Sequence, residues 1–205
     1  MVERIGLYGG TFDPIHHGHL IVARAIAERL GLDRIIFLPS ATPPHKSTDA
    51  LTDAPHRAEM VRLAIRNEPL FSYSDYDLTR SGPSYTIDTV NHFLQQLGQN
   101  AVVHWIIGAD SLMELATWRD VATLVDTCRI VTAARPGSDD LDWQRLAPVL
   151  TEAQTRGLQS GVLDTPRIDI SATGIRERVA EGRSIRFLVP DTVRAYIEKH
   201  RLYRT

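Results

Sequence analysis

The chain has 205 residues, 43% of them hydrophobic and 23% charged, a size and mixture that suit one compact globular domain over residues 1–205 and argue against disorder. Lys and Arg number 23 against 25 Asp and Glu, a formal net charge of -2, so there is no basic excess for bulk nucleic-acid binding and any polyanion must be gripped locally. The lone cysteine, Cys128, excludes an internal disulfide and a multi-cysteine zinc site, and reads as core packing.

No apolar leader opens Met1–Gly10 and no run approaches membrane-spanning length, which predicts a soluble, cytoplasmic protein with no membrane partner. Ile5-Gly6-Leu7-Tyr8 reads as a short strand ending in Gly9-Gly10, followed by a helical pattern from about Gly18 to Leu30 that Gly31 closes. Arg34 to Pro39 reads as a second buried strand and Ser40 to Thr52 as a loop. Pro55 to Ile65 is helical by its spacing, and Phe71 to Leu78 alternates like a strand. Thr86 to Leu97 puts Ile87, Val90, Phe93, Leu94 and Leu97 on one side of a helix that Gly98 ends. Val102 to Gly108 and Arg129 to Ala134 are further strands, the latter stopped by Arg135-Pro136-Gly137. Ser138 to Asp164 is the least legible stretch, helical around Trp143 to Ala153.

Short apolar strands alternating with helices predict an α/β fold: an open, twisted parallel sheet with right-handed crossovers and helices on both faces. Such sheets bind ligands at the carboxyl ends of their strands. Those ends carry Gly9-Gly10, Ser40, Gly108-Ala109-Asp110 and Arg135.

The stretch GGTFDPIHHGHL, residues 9–20, admits three chemistries. As a metal site it offers His16 and His19 at helical i, i+3 spacing, yet it lacks a third nearby ligand and no H-E-x-x-H occurs. A serine hydrolase needs a G-x-S-x-G elbow, and the common nucleotide loops need G-x-x-x-x-G-K-[ST] or G-x-G-x-x-G; none is present. As a phosphate cradle, Gly9 and Gly10 let the backbone approach a ligand, Asp13-Pro14 makes a turn, and a helix starting near His17 to His19 points free N–H groups at an anion. His16 and His19 add donors without a fixed charge. A plain turn with surface histidines is the alternative.

These residues resemble the first signature of the bacterial nicotinate-nucleotide adenylyltransferase family, with H-x-G-H carried by His16, Gly18 and His19. Ile170-Ser171-Ala172-Thr173-Gly174-Ile175-Arg176 resembles its second signature, I-S-x-T-x-I-R. In that second segment Ser171 or Thr173 can cap a helix beside the Arg176 guanidinium, although a simple N-cap with a surface arginine fits as well. Pro43 to Lys46, Pro83 to Thr89, Ile107 to Leu112, Thr117-Trp118 and Arg135 to Gly137 match at corresponding places. Ala172, where the family often has serine, and Arg119, after the tryptophan, depart from the pattern, and Arg119 bears on contact with the nicotinate ring.

The resemblance implies a Rossmann-like sheet of nucleotidyltransferase type and an enzyme that joins ATP to nicotinate mononucleotide, with Mg²⁺ arriving on ATP. It implies that His16, His19 and Arg176 are catalytic and that ATP also meets Gly9, Gly10, Thr11, Phe12 and Gly18. Gly108, Asp110, Ser171, Thr173 and Ile175 complete the implied ATP set. Lys46, Thr86, Trp118 and Arg135 would hold the mononucleotide. Read by spacing alone, Asp110 serves equally as a helix N-cap, Trp118 as core, and Lys46 and Arg135 as solvated charge; His104 reads as a core imidazole. ATP and nicotinate mononucleotide are the expected partners, with no nucleic acid, and a homo-oligomer stays open. The rival readings are an enzyme for the amide mononucleotide, another small-phosphate adenylyl or cytidylyl transferase, and a non-catalytic nucleotide sensor.

Overall fold

The computed structural model describes residues 2–41, 51–80, 82–98, 100–134 and 142–204. Its centre is a six-stranded sheet in the order β3-β2-β1-β4-β5-β6, parallel at every pairing. In chain order the elements are β1 (Glu3–Gly10), α1 (His17–Leu30), β2 (Arg34–Pro39), α2 (Ala54–Ile65), β3 (Phe71–Tyr73), α3 (Tyr76–Thr79) and α4 (Thr86–Leu97). They continue with β4 (Ala101–Gly108), α5 (Ala109–Glu114), α6 (Val121–Thr127), β5 (Arg129–Ala134), α7 (Glu152–Ser160), β6 (Val162–Asp164), α8 (Ala172–Ala180) and α9 (Asp191–His200).

The two-residue period of the strands sorts their side chains into two cores. Ile5, Leu7, Ile36, Leu38, Val103, Trp105 and Ile107 join Ile87, Val90 and Phe93 of α4 and Leu124 of α6 on one face. Ile35, Phe37, Ile106 and Val131 meet Ile26 of α1, Met60 and Val61 of α2, Ile175 of α8 and Val193 and Ile197 of α9 on the other. The predicted doubly covered parallel sheet is therefore present. Gly31 ends α1 in the left-handed region at φ 59°, and Leu32 N–H reaches back to the Ala27 carbonyl at 2.9 Å, the closure its glycine foretold. Cys128 is buried and its thiol is pushed up to about 12 by that burial. Burial also lowers the His104 pKa, with Arg129 adding to the effect.

Two element assignments change. The predicted strand from Phe71 to Leu78 stops at Tyr73, and the chain turns into the short helix α3, because Asp77 faces inward at 4% exposure to accept the Thr89 hydroxyl at 2.7 Å. The helical stretch expected around Trp143 to Ala153 divides into a 3₁₀ turn, Trp143–Leu146, and α7, which begins at Glu152 behind a Thr151 cap. Among the described residues, no helix is long and apolar enough to cross a membrane.

Candidate functional site

The strand order reverses direction between β1 and β4, the topological position at which such sheets open a crevice. Here the β1–β4 ladder ends at Tyr8 and Ile106, while β1 stays paired with β2 as far as Gly10 and Pro39. The two central strands part at Gly9. A Cβ on Gly9 would lie 2.7 Å from the Trp105 ring, and one on Gly10 3.1 Å from the Phe12 ring, so the bare backbone here is a packing requirement.

Phe12 occupies φ 48° at 2% exposure, its ring between Tyr8 and Phe37 at 5.6 and 5.7 Å. The left-handed backbone is costly for an aromatic residue, and the buried ring holds it there. Only the backbone of Phe12 is left for a ligand. The chain then turns through Asp13-Pro14 and enters α1, with His16 as N-cap.

His16 is 6% exposed, and its Nδ1 has no hydrogen-bond partner among the described residues. Desolvation, helped by neighbouring His17, lowers its pKa to about 4, so the ring is neutral at neutral pH. It stacks on His19 at 3.7 Å, and His16 N–H donates to His19 Nδ1 at 3.3 Å. Gly18 explains itself in this setting: a Cβ there would sit 2.9 Å from His16 Nδ1. The H-x-G-H spacing thus stacks two imidazoles at a helix start.

The second signature begins α8. Ser171 is its N-cap, accepting Gly174 N–H at 3.0 Å, which settles which hydroxyl caps the helix. Thr173 Oγ1 instead accepts from Arg176 Nη2 at 3.2 Å. Arg176 Nη1 donates to the Asp13 carbonyl at 2.8 Å, so one guanidinium touches both signatures. The Ile175 side chain, 1% exposed, belongs to the core.

Asp13 is 1% exposed and its carboxylate accepts the Tyr203 hydroxyl at 2.6 Å and Thr52 N–H at 3.1 Å. Facing it electrostatically is Arg57, whose pKa burial lowers and Asp13 raises. Arg57 is 1% exposed and donates to the carbonyls of Thr52, Thr11 and Ser40, each at 2.8 Å, and of Ala41 at 3.4 Å. This arginine ties the loop after β1 to the loop after β2. Neither Arg57 nor Tyr203 stood out in the sequence: one reads as a polar turn of a helix, the other as a tail residue.

Beside the parted strands lies a cleft of about 170 Å³ whose lining includes the predicted Gly9, Gly10, Thr11, Thr86, Gly108 and Trp118. Arg119, which the sequence set beside the nicotinate ring, lies in the same wall, as do Ser84, Tyr85 and Ser111 from the matching stretches Pro83 to Thr89 and Ile107 to Leu112; sequence reasoning missed Asp77 and Glu114. Thr86 opens α4, with Tyr85 as N-cap. Trp118 packs against the core and also borders the cleft, and its indole N–H is buried without a partner among the described residues. Burial raises the Asp77 pKa, with the Thr89 hydrogen bond and Arg80 opposing. Asp110 does not cap α5: Gly108 does, and Asp110 sits in the first helical turn, exposed. Lys46 and Arg135, with Pro43–Lys46 and Arg135–Gly137, lie outside the described residues. Among the described residues, no group of three or more His, Cys, Asp or Glu side chains could hold a metal ion.

Residues 7–178 match the model of the cytidylyltransferase-like family. Over 98% of its length the chain is 41% identical to the "Probable nicotinate-nucleotide adenylyltransferase" of Thermoanaerobacter sp., covering 94% of that protein. The chain belongs to the nicotinate-nucleotide adenylyltransferase family. A second relative of the same name, from Thermomicrobium roseum, is 42% identical over 100% of this chain and 93% of its own length. The nicotinic acid mononucleotide adenylyltransferase of Plasmodium falciparum, solved in complex with NaAD, superposes with a TM-score of 0.74 at 23% identity, over 98% of this chain and 97% of that one. The adenylyltransferase fold is thus shared even where most side chains differ.

Proposed function

We propose that the protein transfers the adenylyl group of ATP to nicotinate mononucleotide, forming nicotinate adenine dinucleotide and pyrophosphate. The observation that carries this reading is the clasp between the two signatures: Arg176, in the first turns of α8, bonds at 2.8 Å the carbonyl of Asp13, which lies between the end of β1 and the start of α1. Kinship with enzymes bearing the nicotinate-nucleotide adenylyltransferase name supports the substrate pair.

The nucleophile is a phosphate oxygen of the mononucleotide, ionised at neutral pH, so no strong general base is needed. It attacks the α-phosphorus of ATP in line; the bond to the bridging oxygen breaks and its electron pair leaves with pyrophosphate. The protein's task is alignment and charge stabilisation. His19 donates to the α-phosphate in the transition state, with His16 stacked against it as its neutral support. Ser171, Thr173 and Arg176 hold the β and γ phosphates over the start of α8. Gly9, Gly10, Thr11 and the Phe12 backbone border the triphosphate, Gly18 gives His16 its room, and Gly108 and Asp110 take the ribose.

On the acceptor side, Trp118 stacks on the pyridine ring and Thr86 N–H, at the start of α4, faces its carboxylate. Lys46 and Arg135 neutralise the mononucleotide phosphate. The imidazole, hydroxyl and guanidinium groups of the cradle suit phosphate oxygens rather than a bare divalent cation, so Mg²⁺ enters as part of Mg·ATP, where it screens phosphate charge. We place the reaction in the cytoplasm, where ATP is supplied.

The decisive assay follows pyrophosphate release from ATP with nicotinate or nicotinamide mononucleotide. Release with the acid exceeding release with the amide is expected. Preference for the amide would move the protein to a neighbouring specificity, and no release with either would leave a nucleotide sensor.

A further inference from the structure

Nicotinate and nicotinamide mononucleotides are nearly isosteric; one carries a negative carboxylate where the other carries a neutral carboxamide. Discrimination between them is a difference of affinities set by charge and by donor placement at that position. The cleft proposed for the ring is poorly suited to an anion on most of its wall, because Asp77 and Glu114 both line it. Asp77 is partly answered by the Thr89 hydroxyl at 2.7 Å and by Arg80 at 3.9 Å; Glu114 is exposed.

Among the described residues lining the cleft, Arg119 is the one cation. It follows Trp118 directly, and its guanidinium carbon lies 4.8 Å from the centroid of the Tyr85 ring, a cation–π contact. Tyr85 is the N-cap of α4, so the contact holds a full positive charge beside a helix start that already favours anions. The charge is shared: Arg119 Nε is also 3.7 Å from Asp120 Oδ2, with the two side chains 56% and 63% exposed.

We infer that Arg119 is a specificity-determining residue that favours the acid mononucleotide over the amide by placing positive charge at the Tyr85–Thr86 end of the cleft. The inference rests on the proposed function. Its size is that of an exposed ion pair, about fivefold in the ratio of kcat/KM values, since solvent screens a half-exposed guanidinium. Asp120 competes for the same cation and holds the preference below its maximum.

The test is kcat/KM for both mononucleotides at saturating Mg·ATP, at low and high salt, for wild type, Arg119→Gln, Arg119→Lys and Asp120→Asn. Arg119→Gln should lower the acid-to-amide ratio about fivefold, Arg119→Lys should keep most of it, and Asp120→Asn, which tolerates the left-handed backbone at this position (φ 50°), should raise it. Salt should draw the wild-type ratio toward that of Arg119→Gln. A ratio unmoved by Arg119→Gln, or one equally lowered by Arg119→Lys, overturns the inference while the proposed function stands. Absence of turnover with either mononucleotide in the wild type overturns the proposed function instead.

Discussion

Replacing Arg57 with methionine removes the brace between the loops that follow β1 and β2 while keeping much of the buried stem. The guanidinium makes three hydrogen bonds at 2.8 Å, to Thr52, Thr11 and Ser40, from a site 1% exposed. Each is charge-assisted and of order 1.5–3 kcal/mol, but Arg57 also forfeits hydration, and its deletion leaves the Asp13 carboxylate without the cation that faces it. Breaking such a buried arrangement on one side costs about 3–5 kcal/mol, a large share of a typical global stability of about 5–15 kcal/mol. With a urea slope of about 2 kcal/mol/M, the unfolding midpoint should fall by about 2 M. Arg57→Lys, which keeps the charge but not the fork, should fall between. Because Thr11 and Ser40 line the cleft, kcat/KM of the folded variant should drop as well. A methionine variant within about 1 kcal/mol of wild type would show that those carbonyls find other partners and that the brace is dispensable.

The remaining predictions concern the site itself. His16 has its pKa lowered to about 4, against about 6.5 when unfolded. The unfolded chain therefore binds more protons across that interval, and stability should rise with pH from about 4 to 6.5 and be lost on acidification through it; urea titrations at several pH values should show the slope shrink in His16→Asn, and identical slopes would contradict the burial argument. His19→Ala should slow turnover by on the order of 10²-fold or more with the fold intact, the scale of losing one transition-state donor, and near wild-type turnover would remove His19 from that role. Trp118→Ala should raise the KM for mononucleotide more than that for ATP, whereas an unchanged mononucleotide KM would put the ring elsewhere.

The parts of the molecule legible beforehand are those governed by local rules. Gly31 and Gly98 mark helix ends because their positive φ suits a residue without Cβ, and at the end of β1 a Cβ on Gly9 would collide with Trp105 while one on Gly10 would crowd Phe12. Other features were hidden by periodicity that fits two structures at once. From Phe71 onward the alternation suits a strand, and only the burial of Asp77 against Thr89 turns it into a helix. Spacing left Asp110 as readily an N-cap as a ribose ligand, and Gly108 already fills the cap position. Arg57 and Tyr203 were invisible for a stronger reason: their partners, Thr11, Ser40 and Asp13, are remote in sequence, and nothing near either residue signals burial.

The bond from Tyr203 to Asp13 spans 190 positions and that from Arg176 to Asp13 spans 163. A ribosome therefore delivers the histidine segment early, and it waits, without two of its tethers, while the rest of the polypeptide is made. A fragment stopped between residues 176 and 202 carries every group assigned here to the incoming nucleotides, yet lacks the hydroxyl that bonds the Asp13 carboxylate in the turn beneath them. The turn that carries the histidines is thus closed by residues made long after it.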